Sequence, residues 1–288
     1  MILTALVSTE ILAQRLEDPD WVVFDCRHDL SDPARGRGEY AISHIPGALF
    51  LHLDEDLSAP KTGTNGRHPL PDPQVLMDKL GRAGVDSRKQ VVAYDAQGAM
   101  VAARLWWLLR ALGHLPVAVL DGGWNQWIAE GRAQTAEVPQ PQATRFSGKV
   151  VNSGWVPADF VRARLDDPRM LLVDARAPDR FRGQNETLDP LGGRIPGARN
   201  RYFRDNLDAS GRFKSPEELE REFRAVIGAD DPQEVVNYCG SGVSACHNLL
   251  AMEVAGLRGA RLYPGSWSEW CADPSRPVES GEPRAARR

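Results

Sequence analysis

The chain has 288 residues, 42% of them hydrophobic and 26% charged, with a formal net charge of −4. This balance belongs to an ordinary globular protein long enough for two domains, and it offers no overall attraction to nucleic acid or anionic membranes. No uninterrupted apolar run approaches the ~18 residues that span a bilayer. The opening M-I-L-T-A-L-V-S-T-E lacks the basic start and long apolar core of a signal peptide. The four cysteines, Cys26, Cys239, Cys246 and Cys271, show no C-x-x-C, disulfide or zinc spacing. A reducing compartment suits them, and the expected location is cytoplasmic.

Taken in order, the chain alternates short apolar strands with helical patterns. Ser8 caps a helix, and V-V-F-D-C-R at 22–27 is a buried strand ending in D-x-R. Pro73 opens a second helix, V-V-A-Y-D at 91–95 is a strand, and 101–112 is a strongly apolar helix carrying Trp106 and Trp107. Residues 136–157 are rich in proline and polar side chains and predict a linker draped over the surface. The second half then repeats the first. L-L-V-D-A-R at 171–176 answers the first strand 149 positions later, and R-I-P-G-A at 194–198 answers H-I-P-G-A at an offset of 150. V-V-N-Y-C answers V-V-A-Y-D at an offset of 144, and both tryptophans of D-G-G-W-N-Q-W recur at 143 in P-G-S-W-S-E-W. Four matched blocks in one order mean a duplicated domain. The expected fold is α/β: two tandem domains, 1–135 and 158–288, each a mostly parallel sheet flanked by helices on both faces. The charged tail, 280–288, is expected to be disordered.

Chemistry concentrates at Y-C-G-S-G-V-S-A, residues 238–245, between a strand and a helix. A cysteine there sits where backbone N–H groups and the positive end of a helix dipole converge. Such a position favours the thiolate, the nucleophilic form, and lies at the carboxyl end of a strand, where α/β sites occur. Cys239 is therefore the candidate nucleophile. Its counterpart in the first half is Asp95, which has no sulfur to offer.

The D-x-R strand, the I-P-G-A turn, the cysteine loop and the G-x-W-x-x-W ending together resemble the tandem-domain rhodaneses, over nearly the whole chain. Within that family, C-G-S-G-V-S-A is similar to the loop of 3-mercaptopyruvate sulfurtransferases, whereas thiosulfate-preferring members carry basic residues inside it. The resemblance implies a catalytic second domain and a non-catalytic first domain that serves as scaffold and one wall of the cleft. It implies transfer of sulfur from 3-mercaptopyruvate through a Cys239 persulfide to a thiol acceptor, such as a thioredoxin-like protein, or to cyanide, with pyruvate released and no metal or organic cofactor. The backbone of Gly240, Ser241, Gly242, Val243, Ser244 and Ala245 would hold the anionic sulfur. Arg180 matches the family's substrate arginine, with Arg182 a weaker candidate. Asp189 stands where a second substrate arginine is usual, and Arg194 is the residue that could compensate. Ser241, His68 and Asp54 match the proton-relay serine, histidine and acid, with Asp56 as the fallback acid.

Alternatives from other classes are a thiosulfate:cyanide sulfurtransferase, a phosphatase of related fold and a non-enzymatic rhodanese-type binding module. A phosphatase needs an arginine six positions after its cysteine, and Ala245 stands there. The retained Cys239 argues against a mere binding module for the second domain. Trp106, Trp107, Trp124, Trp127, Trp267 and Trp270 are expected in the core. Asp25 and Asp174 are expected to brace the fold, and Cys246 to pack away from the loop.

Overall fold

A computed structural model of the chain describes residues 2–151 and 154–282. Two compact units emerge, and they do not follow a single cut. One comprises Met1–Ala59, Leu70–Asn152 and Leu207–Phe213; the other comprises Pro60–Pro69, Ser153–Asn206 and Lys214–Arg288.

The first unit is built on a five-stranded sheet: β1 (Leu6–Val7), β2 (Trp21–Asp25), β3 (Leu49–Phe50), β4 (Gln90–Tyr94) and β5 (Val117–Leu120), in the order β1-β5-β4-β2-β3. Every pairing is parallel. Crossovers are made by α1 (Thr9–Ala13), α2 (Arg35–Ile42), α3 (Pro73–Arg82) and α4 (Ala102–Ala111), and α5 (Gly123–Ala129) follows the last strand. The expected caps are in place: the Ser8 hydroxyl accepts from the Ile11 N–H at 3.2 Å, and Pro73 follows an Asp72 cap. Residues 136–151 of the segment predicted as a linker are irregular backbone strapped to this unit, whereas Val156 N–H donates to Leu262 O in the other at 2.8 Å. Thr144 N–H donates to Gly81 O at 2.8 Å and Lys149 N–H to Leu112 O at 2.9 Å. Phe146 is buried, so an apolar anchor and backbone bonds hold it down.

The second unit repeats the plan with four parallel strands, β6 (Leu171–Asp174), β7 (Arg199–Asn200), β8 (Val235–Tyr238) and β9 (Arg261–Leu262), in the order β7-β6-β8-β9. Its helices are α6 (Ala158–Arg162), α7 (Pro178–Phe181), α8 (Pro216–Ile227), α9 (Ser244–Val254) and α10 (Ser266–Trp270). Ser215 and Glu218 form a reciprocal capping box at the start of α8. The tail departs from its expected disorder over its described part: Gly281 N–H donates to Arg182 O at 2.9 Å, and Gly281 O accepts from Arg194 at 2.7 Å. Residues 283–288 lie outside the described residues.

The repeated motifs turn out to be one lock built twice. Asp25 ends β2, accepts the Arg27 N–H and guanidinium, and accepts the Tyr94 hydroxyl at 2.7 Å. Arg27 also donates to Ser43 O at 2.6 Å and lies 4.5 Å from the Trp124 ring centroid. In the second unit Asp174, Arg176, Tyr238 and Trp267 repeat the pattern, with Arg176 donating to Gly193 O at 2.6 Å and standing 4.9 Å from the Trp267 ring. Both tyrosine hydroxyls accept the backbone N–H of the isoleucine in I-P-G-A, at 3.2 Å. Burial and the adjoining aspartate hold both phenols far above their ordinary pKa, so each keeps its proton to donate. The strand end, turn and tryptophan are thus tied through one charge-assisted, cation–π-stacked cluster. All six expected core tryptophans are buried.

Candidate active site

In the second unit β8 ends at Tyr238 and α9 begins at Ser244, so Cys239 opens the connecting loop. The loop is curled around the sulfur. Gly242 N–H donates to Cys239 Sγ at 3.1 Å and Ser241 N–H at 3.5 Å. Val243, Ser244 and Ala245 carry the chain into the first turn of α9. The thiol side chain is buried, the position of a reacting group at the base of a cradle.

Neighbouring backbone fixes that curl. Cys239 N–H donates to Ser266 Oγ at 3.1 Å, and Ser266 passes the bond on to Tyr263 O at 2.9 Å. Ser266 pays for this with a φ of +54°, a conformation non-glycine residues rarely adopt. Gly242 has a φ of +77°, and a Cβ there would meet Pro264 O at 2.3 Å. Gly242→Ala is therefore expected to open the loop and reduce turnover at least roughly tenfold with a smaller effect on melting temperature. Unchanged kinetics in that variant would show that the curl is not needed.

Ser241 and His68 come together as expected: Ser241 Oγ and His68 Nδ1 lie 2.8 Å apart, both buried. His68 belongs to the Pro60–Pro69 segment of this unit. Its neighbour Arg67 docks by its N–H to Ser268 Oγ at 3.0 Å on α10. Beside the loop, two guanidiniums converge on Gly240. A Cβ built there would stand 2.6 Å from Arg67 Nη2 and 3.7 and 3.8 Å from Arg180 Nη2 and Nη1. A side chain at this point would push the Arg67 guanidinium aside, whereas Arg180 stands at ordinary contact distance.

Each of these arginines is matched by a carboxylate. Arg180 donates to Glu186 at 2.8 and 2.9 Å through Nη2 and at 3.1 Å through Nε, and its Nη2 lies 3.6 Å from Asp189. Arg67 pairs with Asp189. Burial pushes the Asp189 carboxyl up despite the Arg67 pairing, whereas the Arg180 bonds outweigh burial and hold Glu186 low. The loop itself is uncharged, but cations reach it from two other segments. Sequence reasoning singled out His68 and passed over Arg67 beside it, because nothing local marks an arginine whose partner lies 122 positions away.

Other expected residues fall elsewhere. Arg182 stands 3.6 Å from Glu282 at the C-terminal segment. Arg194 does not compensate for the missing second arginine. It is fully buried and donates to Gly281 O at 2.7 Å and Glu279 at 2.9 Å. That is the strut role His44 plays in the first unit, where its ring nitrogens meet Tyr40 O and Glu137 O. Cys246 does not point away: α9 starts only at Ser244, so Cys246 lies in its first turn and its S–H donates back to Gly242 O at 3.3 Å. Burial pushes Cys271 up to about 11, and the fully buried Cys26 is also raised.

Asp54 lies in the first unit, 3.8 Å from His28 Nε2, with its N–H donating to His52 Nδ1 at 3.1 Å. His28, His52 and Asp54 could gather ligand atoms within 4.8 Å of one another. However, His52 Nδ1 already accepts two N–H groups and its Nε2 donates to Pro33 O at 2.9 Å, which leaves it no nitrogen for a metal. Asp56 accepts the His52 N–H at 2.6 Å and pairs with Lys79, a structural role.

The first unit carries the same loop with Asp95 at its head. The carboxylate is buried and accepts four backbone N–H groups: Gln97 at 2.9 Å and Ala99 at 2.8 Å on Oδ1, Val101 at 2.7 Å and Ala102 at 2.9 Å on Oδ2. This cradle therefore binds an anion, supplied here by the chain itself. The cradle around Cys239 is offered to sulfur.

A parallel α/β unit, repeated, with a cysteine in an anion-binding loop at a strand end defines a class of thiol-based group-transfer proteins. The sequence pattern of the rhodanese-like domain matches residues 8–130 and 157–273, and the chain belongs to that family. It is 47% identical over 279 residues to the "Probable 3-mercaptopyruvate sulfurtransferase" of Pseudomonas aeruginosa, covering 96% of this chain and 98% of that one. It is 34% identical to the mouse "Thiosulfate sulfurtransferase", covering 96% of each. The solved 3-mercaptopyruvate sulfurtransferase from Leishmania major superposes with a TM-score of 0.83 at 30% identity, covering 93% of this chain and 74% of that one.

Proposed function

We propose that the protein is a sulfurtransferase whose donor is 3-mercaptopyruvate and whose carrier is Cys239. The observation that carries this reading is the sulfur of Cys239 seated as acceptor of two loop amides, at 3.1 and 3.5 Å. Such a seat stabilises a thiolate before attack and an anionic persulfide after it.

The Cys239 thiolate attacks the donor's sulfur, forming an S–S bond as the donor's C–S bond breaks. The electron pair leaves on carbon as the enolate of pyruvate, and the proton that began on the donor thiol ends on the pyruvate methyl group. Ser241 and His68, 2.8 Å apart, are suited to relay that proton. The part assigned to Asp54 rests on the sequence alone. An acceptor thiol, or cyanide in an assay, then attacks the outer sulfur and returns Cys239 as thiolate, a ping-pong cycle. Arg180 is positioned by Glu186 to receive the donor's carboxylate.

A second reading, thiosulfate as donor, is favoured by one observation: two guanidiniums beside Gly240 could hold a dianion. Steady-state kinetics with both donors decides. Rapid pyruvate release from 3-mercaptopyruvate is expected; thiocyanate formed rapidly from thiosulfate and cyanide, with no pyruvate from mercaptopyruvate, would reverse the assignment. Arg180→Ala is expected to raise the donor KM by roughly 10- to 100-fold. An unchanged KM removes Arg180 from the site.

A further inference from the structure

We propose that Arg67 is a specificity-determining residue for the donor, the second guanidinium that receives its carboxylate, held in position by Asp189. The proposal rests on the donor assignment above and deepens it. Three observations carry it. Arg67 Nη2 lies closer to Gly240 than either Arg180 terminal nitrogen does, 2.6 Å against 3.7 and 3.8 Å from a Cβ built on that glycine. Gly240 directly follows Cys239, so the two guanidinium groups flank the backbone next to the sulfur. Asp189 ties the pair together, bonding Arg67 through one oxygen and standing 3.6 Å from Arg180 with the other.

The arrangement has a chemical logic. A short 2-oxo acid carrying its sulfur on the next carbon places its carboxylate only a few bonds from the atom that Cys239 attacks. Cations beside Gly240 are therefore at the right remove to hold that carboxylate. Arg67 is about a quarter exposed in its side chain and Arg180 about a fifth, while Asp189 and Glu186 are buried. The arginines thus present the open side of the cluster, and the carboxylates form its backing. Two planar forks meeting one carboxylate fix its orientation as well as its charge. The cluster also explains Asp189: its carboxylate does not itself attract an anionic donor, but it draws in an arginine from the Pro60–Pro69 segment that does.

A structural role for Arg67, anchoring the segment that carries His68, would slow every donor alike. The test therefore compares two donors that differ in the carboxylate: 3-mercaptopyruvate and mercaptoacetone, which keeps the thiol and carbonyl but has a methyl group in place of the carboxylate. Thiocyanate formation with cyanide reads both. In Arg67→Ala the ratio of kcat/KM values, mercaptopyruvate over mercaptoacetone, is expected to fall at least roughly tenfold, mainly through the mercaptopyruvate KM. Arg67→Lys, which keeps the charge without the fork, is expected to lower the ratio by roughly threefold and covers the case in which the alanine variant does not fold. An unchanged ratio in a folded variant overturns the role of Arg67 while leaving the donor assignment standing. A wild type that handles neither donor overturns both.

Discussion

Replacing Cys239 by serine is expected to lower pyruvate release from 3-mercaptopyruvate by roughly 10⁴-fold or more. The hydroxyl fits the same seat, with Ser241 and Gly242 N–H groups as donors, so the fold and donor binding should survive. What is lost is the nucleophile, since an alcohol neither ionises in this range nor forms a stable link to sulfane sulfur. Mass spectrometry of the wild type after donor, without acceptor, should find one added sulfur atom on the peptide containing Cys239 and none on the serine variant. The other thiols are held as thiols: burial pushes Cys26 up, the Cys246 S–H donates to Gly242 O at 3.3 Å, and burial keeps Cys271 protonated at neutral pH, with its pKa at about 11. Sulfur appearing on a different cysteine, or residual pyruvate release close to wild type, would sink the assignment.

The largest stability effect is expected at Asp95. Alanine there leaves four converging N–H donors without their acceptor, at a cost of roughly 3–5 kcal/mol. In a domain of this size that lowers the melting temperature by about 10 °C. Asparagine should do little better, because its NH₂ group would face either the Gln97 and Ala99 donors or those of Val101 and Ala102. Burial leaves this carboxyl raised, with the four amides pulling the other way; four N–H donors around two oxygens leave no acceptor among them for a carboxyl proton. Differential scanning calorimetry of both variants tests this. An asparagine variant as stable as the wild type would mean that the loop does not require a charged occupant.

Much of this was legible in the sequence for a definite reason. The repeat exposed the fold because its motifs are the parts of a buried lock, in which Asp25, Arg27, Tyr94 and Trp124 need one another and Asp174, Arg176, Tyr238 and Trp267 repeat the set. The cysteine loop was legible because strand, glycines and helix are contiguous in the chain. The pairing of Ser241 with His68 spans 173 positions and entered only through resemblance to a family. Arg67 escaped both routes. The misread residues share a physical cause: Arg194 and Cys246 were judged from spacing, whereas their roles are set by a carbonyl or carboxylate supplied from another segment or by where a helix starts.

The interleaving of the two units bears on how separable the halves of the chain are. A fragment beginning at 158 would retain Cys239, Ser241 and Arg180 but leave behind Arg67 and His68, which the second unit draws from Pro60–Pro69. The first unit in turn draws Leu207–Phe213 from the second half, where Phe213 N–H donates to Asp121 at 2.9 Å. Two copies that have traded segments no longer behave as modules. Neither can be excised, shuffled into another protein or retained alone without taking a piece of the other.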